Sequence, residues 1–541
     1  MRLALILLIA AAANGGAQAQ VLERGNGPEP STLDAHKCPE VACGNVLRDL
    51  YEGLVGEDAA GRIVPGMATD WTVSADGRTW TFRLRPGLRW SNGEALDAAQ
   101  VVASFRRAFE PATAAPFAAQ LDAIAHAIDV QSGRMPPASL GVAAPDARTV
   151  VFTLTRSADL PELLRLPIAY PVYLPGVAAH GAQHTRPGRL VSNGAYRLRD
   201  WRPQAHLTLE RNAHFRERAP IGVVRFQVTE DAASELQRYA AGGLHITETV
   251  PPQPLAALQK RFGAQLRISP YLGTMWLGLN LTRPPLGVAG AQCTPPFDEP
   301  RRDDPCARAW FLRNALSLAI DRDILTRHVT GAGETPAWTI VPPGTPGYAG
   351  PQPRVATRTQ HQREALARAS YAAAGYSRTR PVELELRYNT STPLRRLTLA
   401  VAAMWREVLG ARVTLRNEEW KVFVGNRQRR VITQVFRGGW IADVPDARNF
   451  LVNFRGDSLT NWSGVHSRAL DGYLDRADGA PSLPSRARWL RVAESALLAD
   501  HAVVPIYHYS SKHLVRPEVR GFVANPLDHH PSRFLSLEPA K

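Results

Sequence analysis

Residues 65–93 read PGMATDWTVSADGRTWTFRLRPGLRWSNG and carry the densest structural pattern of the chain. Asp76-Gly77 lies between two alternating segments that contain aromatic residues, and this arrangement predicts a β-hairpin. The return strand is predicted at 79–85, because polar and apolar residues alternate there until Pro86-Gly87. A sheet therefore begins in this stretch.

Strand and helix patterns alternate outward from this hairpin. Asp97 is predicted to cap a helix on which Val101, Val102 and Phe105 share one face. Such regular alternation favours α/β domains over a helical bundle or a β-sandwich. Further strands are predicted at 191–196, 206–212, 223–228 and 275–280, and further helices at 232–241, 307–327 and through 397–405.

The first 19 residues are typical of a secretory signal peptide. Arg2 precedes an apolar run from Leu3 to Ala13, and Ala17-Gln18-Ala19 is a small-x-small cleavage site. The run is too short to cross a bilayer, which needs roughly 20 residues. We expect a mature periplasmic protein that begins near Gln20, with an uncleaved anchor as the alternative.

Four cysteines fit an oxidising compartment. Three pairings are possible, and we favour Cys38 with Cys43 and Cys293 with Cys306, because each pair lies within one proline-containing loop. The alternative is a zinc site, but these spacings do not match paired CxxC hooks.

The composition indicates a globular chain of two to four domains, with 541 residues, 45% of them hydrophobic and 21% charged. The formal net charge is +15, yet the basic residues are scattered and do not interleave with aromatic residues as nucleic-acid readers require. We therefore expect no nucleic-acid partner.

Catalytic signatures are missing from the sequence. It has no phosphate-binding loop, no H-E-x-x-H and no G-x-S-x-G. The histidines at 508, 513, 529 and 530 lack a recognised ligand spacing and are predicted to be solvated. Ser510 and Ser511 lie near Lys512, but nothing predicts an oxyanion hole beside them. We therefore do not expect an enzyme, and we expect no cofactor and no metal site.

The stretch Arg437-Gly438-Gly439-Trp440-Ile441-Ala442-Asp443 places a carboxylate near a large ring on what reads as a glycine-rich turn. A carboxylate partly shielded from water pairs strongly with an ammonium or guanidinium group. The alternative is structural: Trp440 as a core ring and Asp443 as a helix N-cap.

From about residue 31 to residue 530 the chain resembles the periplasmic solute-binding proteins of ABC importers. The resemblance is to the large family that includes oligopeptide-, dipeptide- and murein-peptide-binding proteins. It rests on residues 65–93 above all. It also rests on Asn193-Gly194-Ala195-Tyr196, the ALSLAIDR segment at 315–322, Asn417-Glu418-Glu419-Trp420-Lys421 and Arg437–Asp443.

The resemblance implies roles for particular residues. Asp443 would pair with the α-ammonium of a peptide, Arg437 would face its carboxylate, and Gly439 would also contact the ligand. Trp420 and Trp440 would wall side-chain pockets, while Phe117 and Trp276 would lie near the ligand. Glu40 or Val41, in the loop between Cys38 and Cys43, would face the cleft. For each of these rings, core packing is the alternative. After Asp443 the sequence Val444-Pro445-Asp446-Ala447 departs from the usual family continuation.

The implied fold is a two-lobed periplasmic binding protein of type II, in the large peptide-binding subclass, with an extra small domain on lobe I. Lobe I would comprise 20–52, 191–271 and 511–541, the small domain 53–190, and lobe II 272–510. The implied function is capture of short peptides by a monomer that delivers them to an inner-membrane ABC permease. The alternatives are another solute, such as a murein peptide, a metal chelate or an opine, or a chaperone or sensor role.

Overall fold

The computed structural model describes residues 20–251, 255–289, 293, 303–430 and 434–538. The predicted signal peptide at 1–19 and most of the loop between Cys293 and Cys306 lie outside the described residues. In the part of the chain that is described, no helix is both long and apolar enough to cross a membrane.

The opening stretch forms part of a small antiparallel sheet, as predicted. Asp76-Gly77 joins the first two strands, and Asp97 caps the following helix in a capping box with Gln100. Phe105 of that helix packs edge-on against Phe152 of the sheet, with ring centroids 5.1 Å apart. The strand order is Ala68–Val73, Thr79–Leu84, Thr149–Thr153 and Val142–Asp146.

A second sheet of four strands contains the start of the described chain. Its first two strands are parallel, since Val21 is paired with Val223, and its other neighbours are antiparallel. Its core holds Leu22, Phe226 and Tyr196, all of them fully buried. The strand order is Val21–Gly25, Val223–Gln227, His206–Arg211 and Tyr196–Arg202.

The largest sheet has six strands, two of which extend beyond it toward the second sheet. Leu266 pairs with Leu514 near the ends of these two long strands. Ile246 bridges to both Arg24 and Val515, so the chain crosses between the two sheets at this point. The strand order is Thr335–Pro336, Val503–Leu514, Leu266–Leu279, Val435–Ile441, Glu383–Asn389 and Arg412–Glu418.

Helices cover these sheets. Two strand pairs complete the described fold, Val55–Glu57 with Ile63–Pro65 and Val519–Arg520 with Ser536–Leu537. The α-helices are Val41–Leu50, Ala98–Phe109, Ala127–Gln131, Leu160–Leu163, Leu174–His180, Ala232–Ala240, Leu255–Phe262, Pro305–Leu318, Arg322–Ile324, Gln360–Ala373, Thr392–Leu409, Trp420–Arg429, Ala447–Leu451, Arg468–Asp478 and Leu483–Ala499.

Three predicted elements differ from the structure. The helix predicted at 307–327 ends at Leu318, and a short helix at Arg322–Ile324 follows, capped by Asp321. Asp321 accepts the backbone N–H of Ile324, which favours a new helix start over continuation. The strand predicted at 191–196 begins only at Tyr196, and the strand predicted at 275–280 is the end of the longer strand Leu266–Leu279.

The favoured cysteine pairing is confirmed. Cys38 is bonded to Cys43 and Cys293 to Cys306, with Cα–Cα distances of 5.8 and 5.3 Å. The first disulfide closes the loop that leads into the helix Val41–Leu50. A disulfide across so short a loop mainly fixes the shape of that loop.

Candidate ligand-binding cleft

A cavity of about 500 Å³ lies where the small sheet, the second sheet and the largest sheet come together. This volume is within the range of small-molecule sites in proteins, roughly 300–1,000 Å³. The segments that line it come from distant parts of the chain. They are Cys38 to Val41 with Gly44, Asn45 and Arg48, then Phe117, Leu166 and Pro167, Glu248 and Thr249, Tyr271, Ile441 to Asp443, Ser510 to Lys512, and Leu527 to His529.

The stretch that ends at Asp443 is a β-strand, so the predicted turn is wrong. Val435–Ile441 pairs with Leu266–Leu279, and its two glycines serve close packing. A Cβ on Gly438 would lie 2.3 Å from Nε1 of Trp276, and one on Gly439 would lie 2.9 Å from the hydroxyl of Tyr509. Glycine in a sequence usually indicates a turn. Here the two glycines instead let the rings of Trp276 and Tyr509 pack closely against the sheet.

Asp443 follows this strand and lines the cavity. It is partly buried, and its carboxylate accepts a hydrogen bond from the side-chain amide of Gln120 at 3.3 Å. Among the described residues no lysine, arginine or histidine forms an ion pair with it. Burial raises the pKa of Asp443, and a hydrogen bond with Asn449 opposes that shift. A carboxylate held in this way is stabilised by a cation from outside the chain.

Asn449 orients the Asp443 region. Its Oδ1 accepts from the ring N–H of Trp440 at 2.8 Å and from the backbone N–H of Asp443 at 3.2 Å. Its Nδ2 donates to Gln120 at 3.4 Å, so a residue 329 positions earlier in the chain joins the same network. Trp440 lines a neighbouring cavity of about 240 Å³ together with Gln120 and Asn449. The predicted pair of Trp440 and Asp443 is thus connected, but the ring faces the second cavity.

Asp443 is not a helix N-cap. The helix Ala447–Leu451 is capped by Asp446, which accepts the backbone N–H of Arg448 at 2.7 Å. Asp446 also accepts two hydrogen bonds from Arg486, at 2.8 and 3.1 Å. The role of helix N-cap, which was the structural alternative for Asp443, therefore belongs to Asp446.

Arg437 and Gly439 lie on the opposite face of the strand from Trp440. A guanidinium N–H of Arg437 donates to the hydroxyl of Tyr509 at 3.1 Å, and its Nε is buried without a hydrogen-bond partner among the described residues. Neither residue lines the cavity that contains Asp443.

Two further predicted rings lie outside this cavity. Trp276 is 1% exposed and packs against Phe454 and Trp462, with centroid distances of 5.5 and 6.3 Å. Trp420 begins the helix Trp420–Arg429 and is 50% exposed. In this structure Trp276 is a core ring and Trp420 a surface ring.

The N-terminal loop does reach the cavity. Glu40 and Val41 line it on the wall shaped by the Cys38–Cys43 disulfide, and Phe117 lines it as well. Val41 is 56% exposed, and the carboxylate of Glu40 accepts from both the backbone N–H and the hydroxyl of Ser31, at 2.8 and 2.9 Å. The structure thus brings Asp443, Phe117, Glu40 and Val41 to one cavity.

Sequence reasoning missed several residues of the cavity and its surroundings. Gln120, Asn449, Tyr271 and Glu248 carry no local motif, and the backbone alone brings them together. Lys512 was considered only as part of a catalytic pair. Its ammonium donates to the carbonyl of Ser510 at 3.0 Å and lies 3.8 Å from the carboxylate of Glu334.

The prediction of solvated histidines is wrong. His508 and His513 are 6% and 5% exposed, and the side chains of His529 and His530 are 15% and 5% exposed. His513 and His530 both face the carboxylate of Asp528, at 2.8 and 3.1 Å, and these three side chains are close enough to share a metal ion. The neighbouring carboxylate of Asp528 raises the pKa of His513 to about 9, against the effect of burial, so the contact is an ion pair.

A two-lobed α/β fold with a ligand-sized cavity between its sheets defines the class of solute-binding proteins. Residues 62–462 match the family described as bacterial extracellular solute-binding proteins, family 5. The chain belongs to this family.

Individual relatives are similar in sequence to nearly the whole chain. It is 34% identical over 522 residues to the periplasmic oligopeptide-binding protein OppA of Salmonella typhimurium, covering 95% of this chain and 92% of that protein. It is 33% identical over 532 residues to the periplasmic murein peptide-binding protein MppA of Escherichia coli, covering 96% and 94%. The structure is similar to the unliganded open form of MppA, with a TM-score of 0.82, 32% identity, and 96% and 98% of the two chains covered.

Proposed function

We propose that this protein captures short peptides in the periplasm and delivers them to an inner-membrane ABC permease. The observation that carries the proposal is Asp443, a partly buried carboxylate on the cavity wall with no cation partner among the described residues. Peptides supply such a cation at their N-terminus. The names of the two relatives, one oligopeptide-binding and one murein peptide-binding, support the same ligand class.

The strand before Asp443 offers a means of binding peptides without regard to their sequence. Its ladder with Glu383–Asn389 includes only Val435 and Phe436. From Arg437 to Ile441, no described strand pairs with that edge, although the other edge pairs with Gly273–Leu277. An extended peptide can add to an open edge through backbone hydrogen bonds, with its N-terminus at Asp443.

The remaining residues have proposed roles in the closed form. Arg437 would hold the carboxylate of the shortest peptides in a bidentate contact. Trp440 would wall a side-chain pocket, and Trp420 would approach the ligand when the lobes close by a hinge motion. The lobes are proposed to be the segments predicted from the sequence, with 53–190 as the small domain.

The first test removes each partner of the proposed ion pair in turn, the carboxylate of Asp443 and the α-ammonium of the peptide. Isothermal calorimetry would compare wild type and Asp443→Asn with trialanine and with N-acetyl-trialanine. Asp443→Asn should weaken trialanine binding at least roughly tenfold. Acetylation should cost wild type a similar factor and cost the variant little, because the two changes remove one interaction. Equal trialanine affinity in wild type and variant would refute the role of Asp443.

A murein peptide is the second candidate ligand, favoured by the 33% identity to MppA. Mass spectrometry of ligand that co-purifies with the protein would separate the candidates, since a murein peptide contains a diamino acid that its mass and fragments identify. If neither class of peptide is found and neither shifts the melting temperature, the proposed function is wrong.

A further inference from the structure

The cavity contains four carboxylates, and two of them already have strong partners. Glu40 is held by Ser31, as described above. Asp528 accepts from His513 at 2.8 and 2.9 Å and from His530 at 3.1 Å. Glu40 is satisfied by hydrogen bonds within the chain, and the charge of Asp528 is balanced by His513. Asp443 and Glu248 remain.

Glu248 has the same kind of environment as Asp443. Its carboxylate accepts one hydrogen bond from the side-chain amide of Asn45, at 3.2 Å. No described lysine, arginine or histidine lies within ion-pair distance of it. Each of the two carboxylates is therefore positioned by an amide and lacks a cation.

The basic side chains that line the cavity are engaged elsewhere. Lys512 is bonded to the carbonyl of Ser510, and His529 lies 2.9 Å from the carboxylate of Glu57. The guanidinium of Arg48 contacts the ring of His529. To reach Glu248, any of these groups would have to leave an existing partner.

A second polar group points to a ligand at the same place. The hydroxyl of Ser511 is buried, and it has no hydrogen-bond partner among the described residues, although the residue lines the cavity. Ser511 is 6% exposed. Buried hydroxyl groups without partners are rare in folded proteins, because each costs free energy until a partner arrives.

We infer that Glu248 and Ser511 form a subsite for a cationic group of the ligand, so that the cavity selects peptides with a basic side chain. This inference rests on the proposed function. A basic peptide would bring two positive charges, its α-ammonium to Asp443 and its side chain to Glu248. Tyr271 lies near both carboxylates, since the charges of Glu248 and Asp443 each raise its pKa in addition to the effect of burial.

The electrostatics of Glu248 support the same conclusion. Burial raises the pKa of Glu248 to about 7, and the charges of Asp528 and Glu235 act in the same direction. His513 and Arg24 oppose them without cancelling the shift. A ligand cation favours the ionised form, so basic peptides should bind more tightly as the pH rises through about 7.

The experiment is a calorimetric comparison at about pH 8 and pH 6, on either side of this titration. Lysine is placed at each position of trialanine in turn, and each peptide is compared with its norleucine counterpart, which keeps the chain and loses the charge. The proteins are wild type, Glu248→Gln and Glu210→Gln. Glu210 is a matched control outside the cavity, since it pairs with Arg197 at 2.7 Å.

Wild type should prefer lysine over norleucine by at least roughly tenfold in one position, and more strongly at the higher pH. Glu210→Gln should keep this preference, and Glu248→Gln should reduce it to about twofold or less. Norleucine peptides that bind without any lysine preference would leave the proposed function standing and overturn the inference. A preference that survives in Glu248→Gln would overturn it as well.

If no peptide binds wild type, the proposed function fails, and 1,5-diaminopentane then tests the subsite directly. A shift in wild-type melting temperature that Glu248→Gln loses would support the subsite, and no shift would overturn it. Folding of the variant is checked by its own melting temperature. At about pH 8 this should not fall, because the change removes a buried charge without a partner.

Discussion

Asp443 and Asp446 lie three residues apart and have opposite environments. Asp446 caps a helix and pairs with Arg486, and these contacts lower its pKa despite burial. Asp443 has a hydrogen bond from Gln120, and burial raises its pKa. The comparison teaches how its partners set the role of a carboxylate: Asp446 is paired with Arg486 and holds the loop, whereas Asp443 has no cation partner among the described residues and is the proposed ligand contact.

The largest effect is expected for Asp446→Ala. The change leaves the guanidinium of Arg486, whose side chain is 11% exposed, without its carboxylate. Breaking a buried pair by removing one partner costs about 3–5 kcal/mol. Urea denaturation should show a loss of this order. A loss no greater than that of Asp443→Ala would break the comparison.

An intermediate effect is expected for Asn449→Ala. This residue is 6% exposed and accepts from both Trp440 and the backbone of Asp443. The change leaves two donors without an acceptor and should cost about 1–3 kcal/mol of unfolding free energy. Peptide affinity should fall with it.

Trp440→Phe is the matched control for Asn449→Ala. It removes the ring N–H and keeps an aromatic ring, so only one hydrogen bond is lost. Its effect on affinity should be smaller. If it weakened binding more than Asn449→Ala, the ring rather than the orientation of Asp443 would be the important contact.

The smallest effect on stability is expected for Asp443→Asn in the ligand-free protein. Because burial raises the folded pKa of Asp443, its charge destabilises the fold at neutral pH, and the unfolding free energy of the variant should equal or exceed that of wild type. The difference should disappear as the pH falls below the unfolded pKa, about 4.

The contribution of Asp446 to stability depends on pH with the opposite sign. Its folded pKa is lowered, so its contribution is complete above the unfolded value and is lost as the pH falls through the folded one. Denaturation curves at several pH values would therefore separate the two aspartates. Parallel pH profiles for Asp443→Asn and Asp446→Asn would contradict their assignment.

Local patterns predicted much of the fold. Asp76-Gly77 predicted the hairpin and Asp97 the helix start, because turn and cap preferences act within a few residues. Both disulfides were predicted because each pair of cysteines lies within one loop. The segment 435–441 was mistaken for a turn because its glycines serve two rings, Trp276 and Tyr509, that the sequence does not place beside them.

The cavity was only partly predictable for the same reason. Asp443 was identified through a resemblance that covers the chain, and the structure places it on the cavity wall. Gln120 lies 323 residues away in sequence from Asp443, and no local pattern connects the two. Three of the four C-terminal histidines, His513, His529 and His530, are held by tertiary contacts with Asp528, Glu57 or Thr247. The proposed ligand contacts and lobe boundaries stay predictions.

The open edge at Arg437–Ile441 has a consequence for how copies of this protein behave toward one another. Unpaired strand edges on a protein surface invite other chains to add to the sheet, and this is a common route to aggregation. Here the edge lies within the sheet order, beside the strand Glu383–Asn389, rather than at its rim. A second folded copy would have to bring a whole sheet to that position, whereas the peptide proposed as the ligand would bring a single strand. The proposed binding mode therefore uses this edge for one short chain rather than for the sheet of a second copy.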